Sequence, residues 1–242
     1  MARHVKNHKR NRHGTAFWDQ EYTNAEHLAL SEEASGDLKK FCRWLERRGK
    51  HDILSKASSA IDLGCGNGRN LVYLAREFGL QGVGYDSSGA AIKEARRLSE
   101  GLKLEYKVRS MAGALEVPDA SQALALDMMS SHFLKATERT FLRDEIYRTL
   151  KPGGFLFMKT FLKDGDLHTA RLIEERPGDE PGSYIHPVIG VQEFVYGEED
   201  LTAFLEEKFI VHKVYTSHKH VSKGKAWKRR TISVYAEKDP YA

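Results

Sequence analysis

Between residues 58 and 100 the chain runs strand, glycine turn, helix, strand, helix: SSAIDLG, a helical stretch from Asn70 to Phe78, QGVGYD, and a second helical stretch from Gly89 to Glu100. A short apolar run that ends in glycine and leads into helical periodicity is the signature of a βαβ unit. The pattern continues through LKLEYKV, QALALDMM, a helix over roughly Glu138 to Leu150, and GGFLFMKTF. Such alternation restricts the fold to an α/β architecture, a largely parallel sheet with helices on both faces. At 242 residues the chain is long enough for one such domain, with about thirty residues left for attachments.

The flanks read differently. Residues 1–15 lack periodicity and form a basic tail, with order beginning near Phe17. Leu38, Phe41, Cys42, Trp44 and Leu45 recur at helical spacing and predict an amphipathic helix ending near Gly49. The expected organisation is therefore a tail (1–15) and a single domain (16–242). That domain carries an N-terminal helical extension (16–50) and a lid-like insertion (163–197), which reads as irregular up to about Gln192. A short helix follows around Glu198 to Glu207. FIVHKVYTSH and RRTISVYAEK then predict a terminal hairpin around the basic loop SKGKAWK.

Apolar residues at 40% and charged residues at 30% are an ordinary globular balance. The two cysteines, Cys42 and Cys65, form neither a disulfide framework nor a zinc motif, which points to a reducing, cytoplasmic setting. No apolar run approaches the ~20 residues that span a bilayer, and no apolar h-region follows the basic N-terminus, so neither a membrane nor secretion is expected.

The turn Ala60-Ile61-Asp62-Leu63-Gly64-Cys65-Gly66-Asn67-Gly68-Arg69-Asn70 places three glycines between a strand and a helix, where a ligand can approach the backbone. Asp86 ends the next strand, 24 residues after Asp62, near the offset at which an acid receives ribose hydroxyls. Asp62, two residues before the first glycine, repels a pyrophosphate and suits an ammonium group, directly or through water. Arg69 stands where a dinucleotide fingerprint needs its third glycine, and no G-K-[ST] occurs, so nicotinamide and nucleoside-triphosphate readings fall.

Through DLGCGNGRN, GYDSS, the VPDASQALALDMMSSHFL region and LKPGGFLFM, residues 58 to 160 resemble the class I S-adenosylmethionine (SAM) dependent methyltransferases. The resemblance implies a Rossmann-like seven-stranded sheet of order 3-2-1-4-5-7-6 with the last strand antiparallel. It also implies SAM across the carboxyl ends of the first strands and S-adenosylhomocysteine (SAH) as product. Carried onto this chain, Gly64, Cys65, Gly66, Asn67 and Gly68 line the methionine part, Asp62 faces the ammonium group, and Asp86 with Ser87 takes the ribose. Ser110 and Met111 stand where the family often places an acidic adenine ligand; Met111 suits the adenine face.

Methyl transfer needs chiefly alignment of nucleophile, methyl carbon and sulfur, so no metal is required. Candidates for the chemistry lie where the fourth strand ends: Asp127, as an acceptor for the SAM amine or for substrate, and His132, as either a base or a helix cap. Tyr184 and His186, in the insertion, are further candidates. The D/N-P-P-Y/F/W motif of amino methyltransferases is absent. Phe17-Trp18-Asp19-x-x-Tyr22 resembles the entry segment of small-molecule and tellurite-resistance-like methyltransferases, which places Trp18 and Tyr22 at the substrate. His218 and His220 lack a third ligand at metal-binding spacing.

The expected acceptor is a small molecule or a protein side chain. A second reading, an RNA methyltransferase acting on tRNA or rRNA, rests on the formal charge of +4 being concentrated in residues 1–13 and 218–230, where Trp227 offers a stacking surface. A third, SAM binding without catalysis, is disfavoured by the intact glycine loop and both acids. Oligomeric state leaves no sequence signature.

Overall fold

A computed structural model describes residues 12–27, 30–218, 221–222, 225–226 and 228–241. Helices α1 (Arg12–Thr23) and α2 (Gly36–Arg47) precede β1 (Ser59–Leu63), α3 (Arg69–Phe78), β2 (Gln81–Asp86), α4 (Gly89–Leu98) and β3 (Leu104–Val108). There follow β4 (Gln122–Met128), a 3-10 turn (Ser131–Phe133), α5 (Ala136–Thr149) and β5 (Leu150–Phe161). The remainder comprises α6 (Leu167–Glu175), β6 (Ser183–Ile185), β7 (Gln192–Phe194), α7 (Glu198–Glu206), β8 (Ile210–Thr216), β9 (Val221–Ser222), β10 (Lys225–Ala226) and β11 (Thr231–Glu237).

Seven strands form one sheet in the order β3-β2-β1-β4-β5-β11-β8. β1 to β5 run parallel, while β11 pairs antiparallel with both β5 and β8. With β8 and β11 as sixth and seventh strands, this is the expected 3-2-1-4-5-7-6 sheet. Period-two alternation divides the core. Ala60, Leu124, Leu126, Phe155, Phe157 and Tyr235 face α2, α3 and α4, whereas Ile61, Ala125, Leu156, Met158 and Val234 face α5 and α7. Phe41 of α2 stacks on Phe157 at 5.0 Å and meets Tyr235 at 4.7 Å, which fixes the N-terminal extension on the sheet. Burying each such ring contributes about 1.5–3 kcal/mol.

Helix caps follow the sequence: Ser35 accepts from the Asp37 amide, Ser88 from that of Ala91 and Asp166 from that of Thr169. Three boundaries differ from expectation. Residues 12–15 belong to the first turn of α1 rather than to the tail. The insertion is not irregular: it holds α6 and the two-stranded β6–β7 sheet, closed by turns at Gly182 and Gly190 with positive φ. The basic stretch before β11 is not all loop, since it holds β9 and β10, and Arg229 and Arg230 turn inward. Residues 1–11, Lys219, His220, Lys223 and Trp227 lie outside the described residues. Among those described, no helix is long and apolar enough to cross a membrane.

Candidate functional site

A cavity of about 930 Å³ opens over the carboxyl ends of β1, β2 and β4, the side on which open α/β sheets bind ligands. Its inner end is the glycine loop. Gly64 has φ 73°, and a Cβ there would lie 2.3 Å from the Ser130 Cβ, so only glycine lets this loop touch the turn after β4. Gly66 has φ 55°, and a Cβ there would lie 2.2 Å from the Tyr22 hydroxyl. The Gly66 amide donates to Asp86 Oδ2 (2.9 Å), and the Ser88 amide donates to Asp86 Oδ1 (2.9 Å). Asp86 is thus fixed at the cavity wall. Its carboxyl is raised, chiefly by burial, against the lowering effect of these amides.

Asp62 lies beneath this loop, 1% exposed, and its Oδ2 has no hydrogen-bond partner among the described residues. Burial, then the nearby Asp86 and Asp127, push it up to about 8. A buried carboxyl with an unused oxygen beside two further acids makes this end selective for a cation. Cys65 lines the cavity, but burial raises its thiol well above the ordinary range, so it is no nucleophile. Among the described residues no cluster of His, Cys, Asp and Glu suits a metal ion.

Of the sequence candidates, Trp18, Tyr22, Gly64, Cys65, Gly66, Asn67, Asp86, Ser87, Ser110 and Met111 line the cavity together. Asp62 and Gly68 do not: Asp62 lies beneath the loop, and Gly68 is the left-handed N-cap of α3, against Tyr106. Asp127 is also withdrawn: its Oδ1 accepts from Ser130 Oγ (2.8 Å) and the Ser131 amide (3.1 Å), which shapes the turn after β4. In that turn Met129 adopts φ 63°, a left-handed strain on a non-glycine residue at the cavity wall.

His132 is 2% exposed and packs on Phe133 (4.3 Å) and Phe161 (5.4 Å). Burial lowers it to about 4, so it is neutral and ill placed as a base for a ligand in the cavity. Its neighbour Phe133 is the wall residue. Tyr184 is likewise turned away. It donates to Glu193 and accepts from Arg229 (2.6 Å). Arg229 also donates to Thr169 Oγ1 (2.9 Å), pairs with Asp166 (3.4 Å) and Glu193 (3.3 Å), and stacks on Phe161 (4.0 Å). His186 Nδ1 accepts from the Val188 and Ile189 amides, a local turn. Between them, Ile185 faces the cavity.

Further residues shape the wall of the site. Asp19 Oδ1 accepts from Ser88 Oγ (2.6 Å) and the Ala90 amide (3.1 Å), clamping α1 to the start of α4 beside Asp86. The signal was present inside FWDxxY. Asn67 Nδ2 donates to the Ser31 carbonyl (3.0 Å), drawing the α1–α2 connection over the loop. Arg109, above the Tyr85 ring at 4.8 Å and paired with Glu116 at 2.7 Å, borders the β2–β3 side. At the outer end, Glu180 receives a two-pronged contact from Arg139 (3.1 and 2.7 Å) and a bond from Gln192 Nε2 (3.0 Å).

A family model described as a methyltransferase domain matches residues 60–154. Carboxy-S-adenosyl-L-methionine synthase of Hydrogenovibrio crunogenus is 29% identical over 104 residues, 42% of this chain and 41% of that protein, so the match spans well under half of that relative's length. Among solved structures, a SAM-dependent methyltransferase from Methanosarcina mazei superposes with a TM-score of 0.66 at 23% identity, covering 78% of this chain and 96% of the other. The 1,6-didemethyltoxoflavin-N1-methyltransferase of Burkholderia thailandensis, solved with 1,6-didemethyltoxoflavin and SAH, gives 0.68 at 16% identity, covering 99% and 93%.

Proposed function

We propose, from the premise that this chain carries a class I SAM-dependent methyltransferase domain, that it methylates a small molecule held in the outer half of the cavity. The observation that carries this reading is the cavity itself: about 930 Å³, continuous from the glycine loop to the insertion. That lies near the top of the ~300–1,000 Å³ range of small-molecule sites, which suits a cofactor and a small acceptor together. The Burkholderia relative, with its small acceptor and SAH both bound, supports it further.

SAM, when bound, supplies a methyl group on a positively charged sulfur. The inner end fits it. The unused oxygen of Asp62 suits the ammonium group, and Asp86, already oriented by the Gly66 and Ser88 amides, suits the ribose hydroxyls. Ser110 and Met111 suit the adenine. Tyr22, against Gly66, and Trp18 cover the site from α1 and exclude water. The remaining task of these residues is alignment, which can supply about 7–11 kcal/mol of the barrier.

Acid lines the acceptor end, where Glu138, Asp179 and Glu180 border the cavity. Against Lys135, which also lines this end, and Arg139, which pairs with Glu180, they leave the rim net negative, and this opposes a phosphate-bearing acceptor. Of the basic stretch 218–230, Arg229 is committed to the buried network and Arg230 donates to the Asp164 carbonyl (2.6 Å). Incubation with methyl-labelled SAM and separated cellular fractions tests the proposal. Label is expected among low-molecular-weight compounds; label confined to RNA or protein contradicts it.

A further inference from the structure

The outer half of the cavity has a definite shape. Trp18 of α1 and Phe133 of the 3-10 turn stand 5.9 Å apart with their planes inclined at 71°, forming an aromatic corner. Phe17 holds Trp18 from behind, edge-on at 5.2 Å. Ile185 and Val191 of the insertion also line the cavity, Val191 beside Gly14 of α1. A flat ring placed in this corner lies on one aromatic face while the other ring meets its edge, the arrangement aromatic quadrupoles favour.

The polar groups around this corner are mostly acceptors. Asp179 and Glu180 border it from the insertion and Glu138 from the first turn of α5, with Lys135 the nearby cation. Arg139 and Gln192 set the position of Glu180 before any ligand arrives, and Arg139 offsets its charge, so the net negative charge of the rim rests on Asp179 and Glu138 against Lys135. Carboxylates receive N–H groups and oppose anions, and the Trp18 face attracts cations.

Resting on the methyltransferase reading above, we infer that the acceptor compartment selects planar, nitrogen-bearing ring compounds, neutral or cationic, over anionic compounds of the same ring size. Preorganisation of the corner by Phe17 and of Glu180 by Arg139 reduces the ordering cost of binding. At a partly exposed rim one charge corresponds to at most about fivefold, so reversing the charge of a ring compound from anionic to cationic corresponds to about five- to twentyfold.

The test uses two probes with one ring system, tryptamine and indole-3-propionate, titrated calorimetrically into the full chain with and without saturating SAH. Tryptamine is expected to bind at least fivefold more tightly than indole-3-propionate. Trp18→Ala should weaken tryptamine about tenfold, with the melting temperature recorded to show that the variant is folded. Asp179→Asn, at an exposed position, should shrink the preference between the probes while leaving SAH affinity unchanged. Equal affinity, a preference for indole-3-propionate, or binding of neither probe overturns the inference. Failure of SAH to bind contradicts the methyltransferase reading instead, and the titrations without SAH still decide the ring preference.

Discussion

Asp19 Oδ1 lies 2.6 Å from Ser88 Oγ, joining α1 to the cap of α4, two residues past the carboxylate that ends β2. One side chain thereby fixes the cover of the cavity to its floor. The same oxygen accepts from the Ala90 amide (3.1 Å), so α1 is held by the N-terminal end of α4.

Loss of that clamp should be felt in ligand binding more than in folding, because α1 covers the cavity while the two cores lie in the sheet and its other helices. Asp19→Ala is expected to weaken SAM about tenfold, the value of one lost capping interaction of roughly 1.4 kcal/mol. Calorimetry on the variant checks this; unchanged affinity would show that the clamp is dispensable.

Gly66 and Tyr22 should be energetically coupled. Gly66→Ala sets a methyl group 2.2 Å from the Tyr22 hydroxyl at φ 55°, and should cost about 2–3 kcal/mol in urea unfolding. Adding Tyr22→Phe removes the clashing oxygen and should restore about 1 kcal/mol or more, leaving the left-handed strain. Strict additivity of the two substitutions would place Tyr22 elsewhere.

Asp62 makes stability depend on pH. Its carboxyl, raised to about 8 when folded from 3.8 as a free group, binds a proton in the native state that the unfolded chain has already released. The favourable contribution is complete below about pH 4 and is lost as pH rises toward 8. Between pH 5 and 7.5 the ligand-free protein should lose up to about 1.4 kcal/mol per pH unit relative to Asp62→Asn. Urea unfolding at three pH values measures the difference. Parallel curves would mean that the carboxyl is not strained by burial.

Arg229 is a structural cation on this account. Arg229→Met leaves Asp166 and Glu193, both buried, without their cation, and should cost about 3–5 kcal/mol. Affinity of the folded variant for a single-stranded RNA oligonucleotide should match that of the native chain. A stable variant with weakened, salt-sensitive RNA binding would return Arg229 to an RNA-facing surface.

The sheet and the cofactor end were legible in the sequence because their signals are local. Near-continuous apolar runs in Gln122–Met128 and Thr231–Glu237 mark strands buried on both faces, and Asp62, the glycines and Asp86 lie in two consecutive strand ends. The acceptor end is built from separated pieces, Trp18, Phe133, Glu180 and Gln192, that no spacing unites. Its misplaced candidates show a second reason. Ile185 lines the cavity while Tyr184 turns into the Arg229 network and His186 closes a local turn, and Phe133 lines it while His132 is buried. Sequence located the right segments, but side-chain direction alternates from one residue to the next. Arg229 and Arg230 read as part of a solvent-facing basic stretch because their partners, Asp164, Asp166 and Glu193, lie more than thirty positions away.

The most direct test of the central claim is calorimetric titration of the native chain and of Asp86→Ala with SAM, with NADH as the control. The account predicts one SAM site on the native chain, no response to NADH, and affinity reduced at least tenfold in a folded Asp86→Ala variant. Absence of SAM binding, or equal affinity in the two proteins, would contradict it.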